Sequence, residues 1–458
     1  MPPAPSRRLL AIADDLSGAA ETAAGLLSRT TRSRVLLIEP MTLRQELAKP
    51  VRLPGEATVL DLDSRQLAPA PAAGRVRTAL AATTPGTPVL VKIDSLLRGN
   101  TAATATALAE DGAPVVAATA LPAAGRTVRA GVVHLGDTPL HLTDAWRAEP
   151  TAPPRSLAES FAPLPVELVD LATVRAPRAR LAAALTTATA AGRIAVCDAE
   201  TDADLDAVAG AALALARAPR LIGAGGLAAA VGRHLAAEGR GLAAAGGFAA
   251  GRGSAAGGRA GGDAPVGEPP RLPPPRGDRA VLVVVGTAEP ASAEQVARLV
   301  ADGADHHPLP SAALAARAAV EPPAFAADPH PPPSAALAAE PPRLAAGRVT
   351  VLSVAPTGTA DRRADPRAVV RGLAALAAAT LARHPAPADL VLTGGETARR
   401  VLEALGIGEL EPRGQIHHGA VLSRTRDERS VVTRPGSFGG PDSLRQIVRA
   451  LTPETPHS

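Results

Sequence analysis

The chain has 458 residues, 46% of them apolar, and a formal net charge of only +4, which is length enough for two domains with separate cores. Four Phe, one Trp and no Tyr leave few platforms for base stacking. No block of like charges runs to five or six residues, so nucleic-acid binding is not expected, and the isoelectric point of about 10.2 follows from basic residues that are nearly all arginine.

From the start, Arg7 and Arg8 precede an apolar run, Leu9 to Ala13, that ends at Asp14 and Asp15. That run is too short for the apolar region of an export signal, and none later reaches the length of a membrane span. A cytoplasmic protein is expected. The lone Cys197 rules out a disulfide framework or cysteine metal site and reads as core filler.

Strands are expected at Leu9–Ala13, Val35–Ile38, Thr58–Leu62, Val89–Ile93, Val115–Ala118, Ile194–Cys197 and Leu221–Ile222, with helices at about 17–28, 72–82, 100–110, 175–191, 202–217 and 226–237. Strand, loop, helix, strand is the rhythm of a doubly wound α/β sheet. From 238 to 279 the composition turns to Gly, Ala and Pro and predicts a flexible linker. The rhythm then resumes, interrupted near 305–346 by what reads as a Pro-rich insertion. The expected fold is two doubly wound parallel-sheet domains, 1–237 and 280–458, joined by that linker.

Polar clusters fall where such sheets bind ligands, beyond the carboxyl ends of strands. Asp14 and Asp15 follow the first strand, with Ser17 and Gly18 opening a helix. Asp63, Ser64 and Arg65 follow the third; Lys92, Asp94, Ser95, Arg98 and Gly99 follow the fourth; Gly125 and Arg126 follow the fifth. Each alone suits a helix cap or a surface charge. Together they offer carboxylates for base or metal work and cations for an anionic small molecule. Lys92 stands out because Lys49 is the only other lysine. Its compact ammonium suits a crowded strand end better than a guanidinium.

The second half carries a different chemistry. Gly286, Thr287 and Ser292 lie at one strand-to-helix turn; Gly394, Gly395, Glu396 and Thr397 lie at another; Gly436, Ser437, Gly439 and Gly440 follow a third strand. Glycines there let backbone N–H groups approach phosphate at a helix N-terminus, which points to a nucleotide. No Walker G-x-x-x-x-G-K-[ST] motif occurs. Gly223, Gly225 and Ala228 match the dinucleotide spacing G-x-G-x-x-A, but no acidic residue follows at the expected distance, so this stretch reads as structural. His306, His307, His417 and His418 form no metal pattern and are expected to be solvated, the last two in a loop.

In order, ADDLSGA, DSR, KIDSLLRGN, LPAAGRT and HLTDAWRAEP, then VCDAETDADL and GAGGLAAAV, resemble the substrate-binding half of the four-carbon acid sugar kinases. VVGTAEPASAEQ, LTGGETA and RPGSFGGPDSL resemble the nucleotide-binding half. The resemblance implies an ATP- and Mg²⁺-dependent kinase that phosphorylates the O4 hydroxyl of threonate, erythronate or 3-oxo-tetronate. It implies that Asp14, Asp15, Ser64, Arg65, Lys92, Asp94 and Arg98 line the acid site. Ser292, Gly394, Gly395, Glu396, Thr397 and Gly436 would surround ATP. The family usually has Thr at Leu96 and Ser at Thr287, and often Lys at Arg434 and Glu at Gln415. Asp15 or Asp94 would accept the hydroxyl proton, and Arg65, Arg98 or Lys92 would hold the carboxylate or the developing phosphate charge. The partners expected are a small sugar acid and ATP, with neither nucleic acid nor membrane; a homo-oligomer is allowed. The competing readings are an NAD(P)-dependent oxidoreductase of a hydroxy acid and a non-catalytic sugar-acid sensor.

Overall fold

Short Val-, Leu- and Ala-rich runs become strands wherever both of their faces are covered, as parallel sheets require. The computed structural model describes residues 9–28, 31–38, 42–48, 55–147, 149, 151–247, 279–287, 289–320, 340–355, 364–436 and 438–452. The chain forms two units, Met1–Pro270 and Arg271–Ser458.

The first unit contains β1 (Leu9–Ala13), β2 (Ser33–Leu37), β3 (Ala57–Asp61), β4 (Val89–Lys92), β5 (Val115–Ala118), β6 (Arg126–Arg129), β7 (Val132–Leu135), β8 (Thr138–Pro139), β9 (Val166–Val169), β10 (Ile194–Cys197) and β11 (Arg220–Gly223). Eight of them make one parallel sheet in the order β2-β3-β1-β4-β11-β5-β10-β9. The chain steps from β1 outward to β2 and β3, then crosses to β4 on the other side of β1. The switch point therefore lies between β1 and β4, where ligands bind in such sheets. Register aligns Asp61, Ala13, Lys92, Gly223 and Ala118 across five neighbouring strands. Strands β6 to β8 form a small antiparallel sheet that the sequence reading did not foresee. It is only half buried, and its mixed Arg, Thr, Val and His run shows little apolar signal. Asp198 ties its hairpin down by accepting from Ala130 N and Gly131 N, both at 2.9 Å.

The second unit contains β12 (Val281–Val285), β13 (Asp305–Leu309), β14 (Val349–Val354), β15 (Asp389–Thr393), β16 (Glu409–His417), β17 (Ala420–Arg424) and β18 (Ser430–Arg434). Its order is β13-β14-β12-β15-β18-β17-β16. The first five strands are parallel, but β17 runs antiparallel to both β18 and β16. The second sheet is thus mainly parallel, as expected, with β17 as its antiparallel strand. Gly419 at φ +80° makes the tight turn that lets β16 fold straight back as β17 rather than cross over through a helix.

Three further expectations change. The helix Gly225–Gly247 continues into the segment read as linker, because its Ala and Leu content sustains helix. The stretch read as a Pro-rich insertion from 305 begins with strand β13 and a helix, Ser311–Val320. Residues 248–278 and 321–339 of these segments lie outside the described residues, as does Ser437. The histidines are not simply solvated. His306 bonds Ser353 Oγ at 2.8 Å, His417 ends β16, and the His418 ring lies 5.6 Å from that of Phe438. Cys197 is fully buried, as expected of core filler. No helix among the described residues is long and apolar enough to cross a membrane.

Candidate functional site

At the switch point of the first unit, β1, β3 and β4 deliver their polar ends to one place. Asp14 takes two parallel hydrogen bonds from Arg65, Nε to Oδ2 at 2.8 Å and Nη2 to Oδ1 at 2.7 Å. Arg65 Nη1 donates to Asp15 Oδ2 at 2.8 Å. Asp15 also caps the helix Leu16–Leu26, its Oδ1 accepting from Gly18 N at 2.8 Å. Capping and ion pairing thus share one carboxylate and fix it twice. The backbone repeats the link, with Ser64 N and Arg65 N both donating to Asp14 O.

Asp94 holds Arg98 in the same forked manner, Nε to Oδ2 at 2.5 Å and Nη2 to Oδ1 at 3.1 Å. Asn100 donates its amide to the carbonyls of Ser64, Arg65 and Leu67 and so laces the β4 loop to the β3 loop. Arg126 reaches Ser95 Oγ, and Trp146 Nε1 donates to Leu96 O at 2.7 Å. Gly125 forms a left-handed turn at φ +65° before Arg126, and a Cβ added to it would meet nothing within 4 Å. Two non-glycine residues beside the cluster also hold positive φ, Asp63 at 47° and Leu97 at 61°. Backbone strain of this kind persists only where its surroundings over-determine it.

Lys92 is almost wholly buried, and its Nζ lies 3.3 Å from Glu21 Oε2. Burial disfavours its charge, but Glu21 foremost, and then Asp15, outweigh that and hold the ammonium above its ordinary pKa. Burial raises the Asp14 carboxyl in spite of the Arg65 guanidinium. Burial opposes charge on Asp94 too, yet the hydrogen bonds from Arg98 and the nearby Arg65 hold that carboxyl well below the carboxylate range. A cavity beside these groups is lined by Asp14, Ser64, Lys92, Arg98, Asn100 and Thr101 among others.

The structure therefore brings together Asp14, Asp15, Ser64, Arg65, Lys92, Asp94 and Arg98, with Arg126 attached through Ser95. Sequence reasoning missed Glu21 and Asn100. The signal for Glu21 was present: it lies one helical turn beyond Ser17 and Gly18, on the same helix face.

Gly225 explains part of the dinucleotide-like spacing. A Cβ on it would meet Glu21 Oε1 at 2.4 Å, and one on Gly223 would meet Ala118 O at 2.4 Å. Protein already fills the space over both glycines, so the stretch is structural, as its missing acidic residue implied.

In the second unit three turns sit at the ends of adjacent strands β12, β15 and β18, where register aligns Val285, Thr393 and Arg434. Gly286 and Thr287 leave β12. Gly394, at φ +94°, caps the helix Gly395–Ala404, whose first turn holds Glu396 and Thr397. Gly436 leaves β18, and a Cβ on it would be 3.9 Å from Gly394 Cα and 3.6 Å from Thr287 Cγ2. The Gly286 turn is pressed on Thr397, since a Cβ there would come within 1.8 Å of Thr397 Oγ1. Ser292 Oγ donates to Gly436 O at 3.1 Å, and Gln295 Nε2 donates to Gly439 O and Gly440 O at 3.2 and 3.1 Å. Of the residues singled out in this half, Gly286, Thr287, Ser292, Gly394, Gly395, Glu396, Thr397, Gly436, Gly439 and Gly440 belong to these turns or the helices behind them. Gln295, which binds the turns from below, was not singled out, and Arg434 was named only as a departure from the family's usual Lys. Among the described residues no cluster of three or more His, Cys, Asp or Glu could hold a metal ion.

A carboxylate–cation cluster at the strand ends of one sheet and glycine turns at those of another define an α/β protein of two units. Residues 9–231 match the model of a sugar-binding N-terminal domain, and 282–444 that of a nucleotide-binding C-terminal domain. A D-threonate kinase of Cupriavidus necator is 33% identical over 452 residues, 97% of this chain and 98% of its own. A 3-oxo-tetronate kinase of Methylobacterium radiotolerans is 29% identical over 368 residues, covering 76% of this chain and 77% of its own. The solved structure of a Salmonella typhimurium LT2 protein, described there as a candidate tRNA synthase, superposes with a TM-score of 0.68 at 20% identity, covering 97% of this chain and 99% of its own. At that identity the likeness bears on the fold alone. The chain belongs to the four-carbon acid sugar kinase family.

Proposed function

We propose that the protein transfers the γ-phosphoryl group of ATP to the O4 hydroxyl of a four-carbon sugar acid, D-threonate being the first substrate to try. The observation that carries this reading is the partly buried cluster of Asp14, Asp15, Arg65, Lys92, Asp94 and Arg98 at the first switch point, together with the three glycine turns of the other unit.

Each residue has a role that follows from its contacts. Arg98, half-exposed and oriented by Asp94, is placed to hold the substrate carboxylate. Both carboxyls carry an arginine fork, but Asp94 is the weaker base because Arg98 and Arg65 hold its carboxyl well below the carboxylate range, whereas burial raises that of Asp14. Asp14, raised by burial and lining the cavity, is the proton acceptor for O4, and Asp15 steadies Arg65 beside it. Lys92, kept charged by Glu21, meets the charge that develops on the transferred group. The turns at Gly394 and Gly436 leave room for polyphosphate at a helix N-terminus, with the Gly286 turn packed behind them on Thr397. Mg²⁺ bound to the phosphates would neutralise their charge. It needs only one or two protein carboxylates, and Glu396 in the first turn after Gly394 offers one.

The test is ADP formation with a panel of threonate, erythronate and 3-oxo-tetronate, with and without Mg²⁺. ADP that appears only with acid and metal together supports the reading. Oxidation of NAD(P)H or reduction of NAD(P)⁺ with a hydroxy acid, and no ADP, would overturn it.

A further inference from the structure

Four arginines are buried among the described residues: Arg34, Arg399, Arg424 and Arg434. Three have a carboxylate within ion-pair distance: Glu56 for Arg34, Glu403 for Arg399 and Glu428 for Arg424. Arg434 differs. It is 0% exposed, and each acceptor around it is neutral. Nε donates to Thr393 Oγ1 at 3.3 Å, Nη1 to Ser443 Oγ at 3.0 Å and to Phe438 O, and Nη2 to Gln295 Oε1 at 2.6 Å. The chain continues outward from there. Ser443 Oγ lies 2.9 Å from His417 Nε2, and His417 Nδ1 faces the His418 carbonyl at 3.0 Å. With Nδ1 donating to that carbonyl, Nε2 is left to accept from Ser443, so among the described residues no carboxylate enters the network.

A buried charge without a counter-ion is costly, and such groups are normally paired. Burial pushes the Arg434 guanidinium down to about 10, which still leaves it charged at neutral pH. Its position gives the charge a use. The Arg434 carbonyl accepts from Gly394 N at 2.8 Å, and its side chain reaches Thr393 before that glycine. Gln295, held by Nη2, in turn holds Gly439 O and Gly440 O. A Cβ on Gly439 would be 3.4 Å from Nη1. One guanidinium thus underlies both the Gly394 turn and the 436–440 turn.

We infer that Arg434 is a positioning residue for the polyphosphate of the nucleotide, a fixed positive charge behind the glycine turns that fastens them and is neutralised only when the anion binds. The inference rests on reading the second unit as the nucleotide site. The charge adds to the N-terminal dipole of the helix Gly395–Ala404, and both act through a medium that screens poorly. Arg434 does not touch the ligand; it acts through the turns it holds.

The experiment uses the full chain and calorimetric binding of ATP, ADP, AMP and adenosine at low and high salt, with threonate binding as the control for fold. Arg434→Lys keeps the charge, and Arg434→Gln keeps hydrogen-bonding capacity without it. Arg434→Gln should weaken ATP about thirtyfold or more and flatten its salt dependence. Arg434→Lys should stay within about fivefold, and both should bind threonate as the wild type does. A glutamine variant that binds ATP at wild-type affinity overturns the inference and leaves the kinase reading intact, as does equal loss of ATP and adenosine. Should Arg434→Gln fail to fold, the wild-type series decides. Affinity that climbs with phosphate number and falls with salt supports the inference, and affinity equal for adenosine and ATP overturns it. A wild-type chain that binds none of the four overturns the nucleotide reading itself.

Discussion

The ammonium of Lys92, at the end of β4, stands 3.3 Å from Glu21 Oε2 on the helix Leu16–Leu26, and Gly225 leaves the space that the Glu21 carboxylate fills. Three separate segments are thus committed to one buried charge. Burial alone would push Lys92 toward its neutral form, and Glu21 foremost among its neighbours prevents that. Glu21→Gln removes the largest favourable influence and keeps the shape. The folded-state pKa of Lys92 should fall, and the alkaline limb of kcat/KM should move to lower pH. A pH–rate profile checks this, and an unmoved limb would show that Lys92 charge does not limit the reaction.

Lys92→Arg probes the same site from the other side. The planar fork is longer and does not fit the place of a point donor, where Nζ lies so near Gly18 that a Cβ added there would be only 3.2 Å from it. The expected loss in kcat/KM is at least about tenfold, or ~1.4 kcal/mol of transition-state stabilisation, with the fold kept. Steady-state kinetics beside a thermal melt separate this from unfolding.

Asp94 gives a stability prediction with a definite sign. Its carboxyl is held well below the unfolded carboxylate value, so the native state binds fewer protons there. Its contribution is present above an unfolded pKa of about 3.9 and is lost as pH falls further toward the folded value. Asp94→Asn should cost roughly 2 kcal/mol near neutrality, where it leaves Arg98 without its charged partner. The gap to wild type should close as pH drops below that of ordinary carboxylates. Melts across pH test it, and a gap independent of pH would mean the loss is one of shape rather than charge.

How much of this was legible in the sequence depends on which physical signal each feature leaves. Parallel strands such as Leu9–Ala13 and Val281–Val285 are apolar on both faces and announce themselves. The hairpin strands Arg126–Arg129 and Val132–Leu135 are half-exposed and carry no such run, so they stayed hidden. The short loops after β1, β3 and β4 exposed Asp14, Arg65 and Lys92 as a set, because chain order and strand ends suffice to place them. Arg434 was noticed only as a departure from family habit. Its lack of a carboxylate is a property of packing, with partners at 295, 393, 438 and 443 that no local pattern joins.

The last prediction concerns Gly286, where close approach rather than backbone freedom demands glycine. A Cβ there would lie 1.8 Å from Thr397 Oγ1, 2.8 Å from Thr397 Cβ and 3.0 Å from Cγ2. Thr397 is itself buried in the first turn of the helix Gly395–Ala404, so it cannot swing into solvent. Gly286→Ala must therefore push apart the β12 turn and the helix start that faces the proposed phosphate. Overpacking of this kind costs roughly 1–3 kcal/mol. The expected result is a lower melting temperature and a raised KM for ATP, with threonate affinity kept. Thr397→Ala in the same chain removes Oγ1 and Cγ2 but leaves the 2.8 Å contact with Cβ, so it should restore part of the loss and no more. The double-mutant cycle in melting temperature and in KM measures this. Additive losses from the two substitutions would show that Gly286 and Thr397 do not meet as described.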